Sequence, residues 1–517
     1  MENSGASGTS GFALAAIAIL LCIVTYLVST YFTNGLNRYP GPVLAKFTNL
    51  WHYYDVKSNH HHDHLIALHR RLGDVVRIGP NRLSIASPEY VGRIYGTQNA
   101  YPKSEMYDSF CLRSNGGRAP ITLSQRDQKI HARNKKAVAH AFTLTAIRDY
   151  EPYMDEIIKL FIKKLTEKTE ANPSFFCDFG LWIRFYVTDT ILYLTFGSTF
   201  GFLDAGKDSV EFFDNMNANM VKDSLYIPMP WWSMVTKFNP IVALFSSKNS
   251  FVPGWCMTQI RKRQQERAKL EEATGQSTHV KSDFLDKFMD AAKTSGSPGI
   301  DYVALIDWCL TNVQAGSETI TVELISTLYY LLKAPEKMER LLEEIRSAGL
   351  SNPVTYREAQ NLLYLDACLK EGLRIHPAVG LGMERTVTGN GLKLPDGSVA
   401  PRGTLVSMNP WVVTRQSLFG NDPDKFLPER WLRAKGETEA AYTDRINAWK
   451  RADLTFSHGN HSCSGKNIAT MELYKVLPTV LLNFDVKLQD QDKSWNVINR
   501  FIVRQTGFNC VLRQRQR

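Results

Sequence analysis

The clearest pattern in the chain is an apolar run near its start. Gly11 to Phe32 reads GFALAAIAILLCIVTYLVSTYF, 22 residues without Asp, Glu, Lys, Arg or His. At about 1.5 Å per residue a helix of that length reaches about 33 Å, matching a hydrocarbon core. It has no polar face to turn to water, which sets it apart from a soluble helix. A cleaved signal would want a basic start, yet Met1 to Ser10 carries Glu2 and neither Lys nor Arg. The pattern predicts a transmembrane anchor over 11–32 with 1–10 luminal. Arg38 and Lys46 follow the run, so the positive-inside rule places the rest of the chain in the cytosol. In a eukaryote that means the endoplasmic reticulum membrane, crossed once. Tyr39-Pro40-Gly41-Pro42 forms a stiff elbow inside a hinge over 33–45, because proline fixes φ and resists helix.

Beyond the hinge the pattern predicts one large domain, 46–517, mainly α with a small β-sheet region. Val75–Gly79 and Leu83–Ala86 read as a hairpin around Pro80-Asn81. Ser87-Pro88-Glu89 carries the signals that open a short helix. Gln125 to Gly201 reads as mainly helical with a break at Asn172-Pro173, and 203–300 as less regular, broken at Pro228-Met229-Pro230-Trp231-Trp232. Asp301 to Leu332 predicts one long helix free of proline. Pro335 opens another, and Thr355 with Glu358 forms a capping box ahead of a helix ending near Ile375. Pro395-Asp396-Gly397 and Pro401-Arg402-Gly403 punctuate a strand-rich stretch.

Composition changes this picture little: 44% hydrophobic and 22% charged residues suffice for a large core. The net charge of +10 admits nucleic acid, anionic lipid or an acidic protein as partner. No run of five basic residues and no nucleic-acid module occurs, which argues against the first. Arg261-Lys262-Arg263, and Arg133 with Lys135 and Lys136, read as solvated faces. The eight cysteines include no CxxC pair, which excludes a zinc ribbon or dense disulfide framework and fits a reducing compartment. His60, His61, His62 and His64 read as an exposed polar stretch, with a metal site as the rival.

Three segments carry candidate chemistry. Phe456-Ser457-His458-Gly459-Asn460-His461-Ser462-Cys463-Ser464-Gly465 sets a cysteine among glycines that permit a tight loop with amides aimed at the sulfur. A helix from Lys466 would add its N-terminal dipole in favour of the thiolate. Lys370-Glu371-Gly372-Leu373-Arg374 places Glu371 and Arg374 at i, i+3, with Arg430 of Phe426-Leu427-Pro428-Glu429-Arg430-Trp431 as a third partner if the pair is buried. In the long helix Ala315-Gly316-Ser317-Glu318-Thr319 interrupts an apolar run. Gly316 costs about 1 kcal/mol against alanine there, and either room for a bound diatomic and its proton donors or a helix kink with exposed polar residues would explain it.

In this order, the segments resemble the cytochrome P450 superfamily from about Arg38 to Leu512, and its fungal microsomal branch of pisatin-demethylase type most closely. The resemblance implies a cytochrome P450 fold behind a single anchor, with 46–517 as a haem-thiolate monooxygenase domain. It implies haem b with Cys463 as axial iron ligand, Phe456 and Gly459 in the ligand loop, and Glu318 and Thr319 handling protons. Glu371, Arg374 and Arg430 would be structural. Where the family usually has arginine two residues before the cysteine, His461 stands. Where it has a tryptophan and an arginine four apart, His131 and Lys135 stand, and with Arg385 these are the expected propionate contacts. Electrons would come from a separate NADPH-dependent flavoprotein reductase, with cytochrome b5 as a second donor and Arg133 and Lys136 as a docking patch. Met106, Tyr107, Phe110, Asn312, Ala315, Val379, Met383 and Phe508 would meet a hydrophobic substrate such as a fungal secondary metabolite. Trp231 and Trp232 belong either to the membrane interface or to the core. Two rivals stand beside oxygen insertion: coupling, desaturation or rearrangement on the same scaffold, and a non-catalytic haem-binding protein.

Overall fold

The structure, a computed structural model, describes residues 6–98, 100–114, 117–239, 241, 251–275, 283–294 and 302–515. Helix α1 (Ala6–Phe32) contains the apolar run, and from Ala13 on its large side chains lie exposed. It is the one helix among the described residues long and apolar enough to cross a membrane. The hinge has a built junction. Arg77, fully buried, donates from Nη2 to Thr30 O at 2.6 Å and from Nη1 to Tyr31 O at 2.8 Å. A guanidinium thus caps the last carbonyls of α1, where the helix dipole favours a cation.

Arg77 lies on β1 (Val75–Gly79), which pairs antiparallel with β2 (Arg82–Ile85). Strand β3 (Arg385–Thr386) and strand β4 (Leu405–Ser407) complete this sheet in the order β1-β2-β4-β3, β4 running parallel to β2. Everything else that frames the site is helical: α2 (Gln128–Val138), α3 (Phe179–Phe196), α4 (Tyr302–Lys333), α5 (Leu363–Ile375) and α6 (Lys466–Asn483). The main hydrophobic core is assembled around α3, α4 and α6. Glycine lets these helices approach: a Cβ on Gly372 of α5 would lie 2.0 Å from Thr327 Oγ1 of α4.

The predicted hairpin, the long helix and the Thr355–Glu358 capping box all appear, though Asp301 lies outside the described residues. The box opens only Tyr356–Ala359, with α5 as a separate helix. Three expectations are corrected. The stretch after residue 203 is more regular than its pattern suggests, with helices Phe212–Tyr226, Phe251–Thr274 and Phe284–Thr294. Arg263 is buried rather than solvated, because Asp283 and Asp286 pair with it. His61 and His62 are buried too, and Asp55 accepts from Nδ1 of both His61 and His64, which uses ring nitrogens a metal would need. All eight cysteines are free.

Candidate active site

The cysteine loop is closed by its own backbone, Cys463 N donating to Phe456 O at 2.8 Å. Gly459 holds φ at 61°, and a Cβ there would lie 2.1 Å from Tyr95 O, so this turn requires glycine. Gly465 is not constrained in that way: a Cβ there would meet Cys463 Sγ at an ordinary 3.8 Å. Gly465 instead precedes α6, and its amide and that of Lys466 reach the sulfur. Burial raises the thiol pKa, while these amides and the Lys135 and Lys466 ammoniums lower it toward the thiolate. Cys463 is nonetheless accessible to solvent. A side chain both desolvated and accessible opens onto interior space rather than into packed core.

Lys103, His131, Lys135 and Arg385 lie beside the loop, next to its own His461. Lys135 Nζ donates to Asn460 O at 3.1 Å and to Ser462 O, tying α2 to the ligand loop. The rings of His131 and His461 stand 4.4 Å apart. Arg385 Nη1 donates to Tyr107 Oη at 2.7 Å, while Arg385 Nε and His461 Nδ1 are buried without partners among the described residues. Lys103, absent from the sequence-based expectations, donates from Nζ to Thr122 O at 3.2 Å and Leu123 O at 2.7 Å. Burial and then the Arg385 and Lys135 charges push Lys103 down to about 7. Burial and then Lys103 and its neighbours push His131 to about 4 and His461 to about 2. No carboxylate is among the groups acting on these three, so burial and the neighbouring cations hold both imidazoles neutral, as N–H donors with no acid partner among the described residues. Desolvated donors, two of them unpartnered, fit an anion with more than one carboxylate.

On α4, Thr319 Oγ1 donates to Ala315 O at 2.9 Å, and Glu318 Oε2 stands 3.6 Å from Nη2 of the buried Arg184 on α3. Asp307–Leu310 and Ile320–Tyr329 are buried, yet Gln314 and Ala315 between them are exposed. The helix therefore passes an open interior space at this turn. Gly316 does not face that space, which corrects its reading as room for a diatomic. A Cβ there would lie 2.8 Å from Ile191 Cγ1, so this glycine seats α4 against α3. Gly316→Leu is expected to cost about 1–3 kcal/mol by overpacking, seen as a lowered midpoint in urea unfolding.

The expected substrate contacts divide. Met106, Tyr107 and Phe110 form one apolar cluster with Ile227, Leu381 and Phe501, none of the latter three foreseen. Val379 touches both this cluster and the one containing Met383. Asn312 is turned to α3, its amide donating to Thr195 Oγ1 at 2.8 Å, and Phe508 is packed in the main core with Phe179 and Tyr329. Away from the cavity, Arg374 grips Glu371 with two bonds of 2.8 Å, and Arg430 Nε reaches the same carboxylate at 3.0 Å.

The family model described as Cytochrome P450 matches residues 40–510. The chain belongs to the cytochrome P450 family. It is 34% identical to cytochrome P450 monooxygenase cicH of Emericella nidulans, over 97% of this chain and 99% of that one. A cytochrome P450 monooxygenase of Aspergillus terreus is 35% identical over 92% and 94%, and vrtE of Penicillium aethiopicum 31% identical over 100% and 96%. This cytochrome P450 is thus an oxidoreductase of the monooxygenase type, and its family carries haem ligated by a cysteine thiolate. The family takes electrons from reductase partners, and α1 suits attachment to a membrane.

Proposed function

We propose that this cytochrome P450 inserts one oxygen atom of dioxygen into a hydrophobic small molecule of fungal secondary metabolism. Cys463 would ligate the haem iron, and Lys103, His131, Lys135, Arg385 and His461 would hold the haem carboxylates. Haem with a thiolate ligand supplies the electron density that favours cleavage of the O–O bond. The chain supplies the protons. Thr319 donates its hydroxyl hydrogen bond to Ala315 O, which leaves its oxygen free to accept from a water in the adjoining space. Glu318, held by Arg184, passes protons to that water from solvent. Electrons come from an NADPH-dependent flavoprotein reductase or cytochrome b5 that docks on the exposed Arg133 and Lys136. Residues 11–32 cross the endoplasmic reticulum membrane once, 1–10 are luminal, 33–45 form the hinge, and 46–517 work in the cytosol.

The observation that supports this reading best is the acid-free set of donors beside an accessible, amide-surrounded Cys463. The test is the carbon monoxide difference spectrum of the reduced protein, wild type against Cys463→Ala. A strongly red-shifted Soret band that the variant lacks is the expected result. A well-folded wild type without any haem band would sink the proposal, and a band at the position of histidine-ligated haem would move the ligand away from Cys463.

A further inference from the structure

We infer that the substrate already carries a hydroxyl or carbonyl oxygen, and that the Gln314 amide is the group that hydrogen-bonds it. The inference rests on the monooxygenase reading and adds a substrate class to it. Asp307, Thr311, Gln314 and Glu318 are spaced 4, 3 and 4 residues apart, which sets four polar side chains in one stripe on α4. The stripe lies away from the face that Asn312 and Gly316 press against α3.

Three of its members are committed. Asp307 accepts from Thr122 N at 3.1 Å, from Thr122 Oγ1 at 3.0 Å and from Thr311 Oγ1 at 2.9 Å. Glu318 is paired with Arg184. These two bridges, one toward the turn before α2 and one toward α3, frame a gap along the helix. Gln314 stands between them, exposed beside the exposed Ala315, and its amide has no hydrogen-bond partner among the described residues. It neighbours Ala315, whose carbonyl accepts the Thr319 hydrogen bond, so a molecule near the chemistry is within its reach.

The nearest apolar cluster on either side of this turn is buried. The cluster of Met106, Tyr107, Phe110, Leu381 and Phe501 takes in Leu123, adjacent to the Thr122 that Asp307 holds, and Val379, adjacent to the Ala378 whose amide donates to Glu323 of α4. This apolar cluster is therefore tied to α4 on both sides of Gln314. A pure hydrocarbon would leave the amide facing apolar surface with its hydrogen bonds unmade, at a cost larger than the mean value of such a bond. A molecule with an apolar body and one oxygen function gives that amide its partner. The reaction that supplies this substrate is then one that leaves a hydroxyl or a carbonyl, and this enzyme acts after it.

The test uses 4-phenylimidazole and its ortho-, meta- and para-hydroxyphenyl analogues as haem-binding probes, titrated into wild-type and Gln314→Leu holoenzyme by Soret shift. At least one hydroxylated probe is expected to bind wild type about tenfold more tightly than the parent, an advantage of about 1.4 kcal/mol that Gln314→Leu removes while binding of the parent is retained. Equal preference in both proteins, or none in wild type, overturns the inference and leaves the monooxygenase reading standing. A protein that binds none of the probes and shows no Soret band overturns that reading, and this inference with it.

Discussion

Arg374→Ala is expected to lower stability by about 3–5 kcal/mol, the cost of leaving a buried carboxylate without its partner. Glu371 is fully buried, and its two oxygens accept five hydrogen bonds: two from Arg374, and one each from Arg430, Trp431 and the Leu427 amide. Arg374 also donates to the carbonyls of Thr414, Pro423 and Lys425 at 2.8–3.1 Å. Alanine strands all of these acceptors in a medium that cannot hydrate them. Arg374→Lys keeps the charge but not the planar fork, and is expected to recover only a minor part of the loss. A nearby ion pair gives the contrast. Lys370 and Asp366 lie on the same helix at 2.6 Å but are partly exposed, and Lys370→Ala should cost about 0.5 kcal/mol or less. Urea unfolding with haem content measured in parallel separates the two cases. Similar losses from Arg374→Ala and Lys370→Ala would mean that burial is not what gives the first pair its weight.

The contrast bears on what could be read before the fold was known. Glu371 and Arg374 were legible as a pair because helical spacing alone brings i and i+3 together, but the carbonyls of 414, 423 and 425 come from a loop no local pattern connects to α5. Periodicity succeeds where apolar side chains make the packing face, as along α4. It fails on Phe251–Thr274, whose buried face includes Arg263 and Arg267 paired with Asp283, Asp286 and Asp290. A helix that buries charges against charges looks like a solvated one in sequence. Lys103 was missed for a related reason. A single lysine carries no periodic signal, and its surroundings are assembled from β3, α2 and the ligand loop. Gly316 was noticed correctly as costly but assigned to the wrong neighbour, since only the fold shows that Ile191 fills the space. The cysteine loop was the most legible part because its requirements are local: a left-handed glycine at 459, an amide-rich turn, and a helix beginning at Lys466.

Glu318→Gln is expected to lower product formation by about 10²–10⁴-fold, the usual contribution of a positioned acid–base group. Glutamine keeps the length and polarity of the side chain but cannot carry a proton between solvent and the water beside Thr319. Arg184 then loses its anionic partner, so a structural explanation has to be separated from a chemical one. Both side chains are largely buried, so the loss should itself lower the unfolding midpoint, and stability alone does not distinguish the two explanations. The decisive comparison is with Thr319→Ala, which leaves Glu318 and Arg184 in place and removes only the hydroxyl. If the two residues form one proton path, both variants should bind a substrate found by spectral titration as tightly as wild type and retain the carbon monoxide band. Both should also continue to consume NADPH while releasing hydrogen peroxide in place of product. The double variant should be little worse than either single one, because groups acting in one step are not additive. Losses that multiply in the double variant would assign Glu318 and Thr319 to separate steps, and a parallel loss of the haem band would return Glu318 to a structural role.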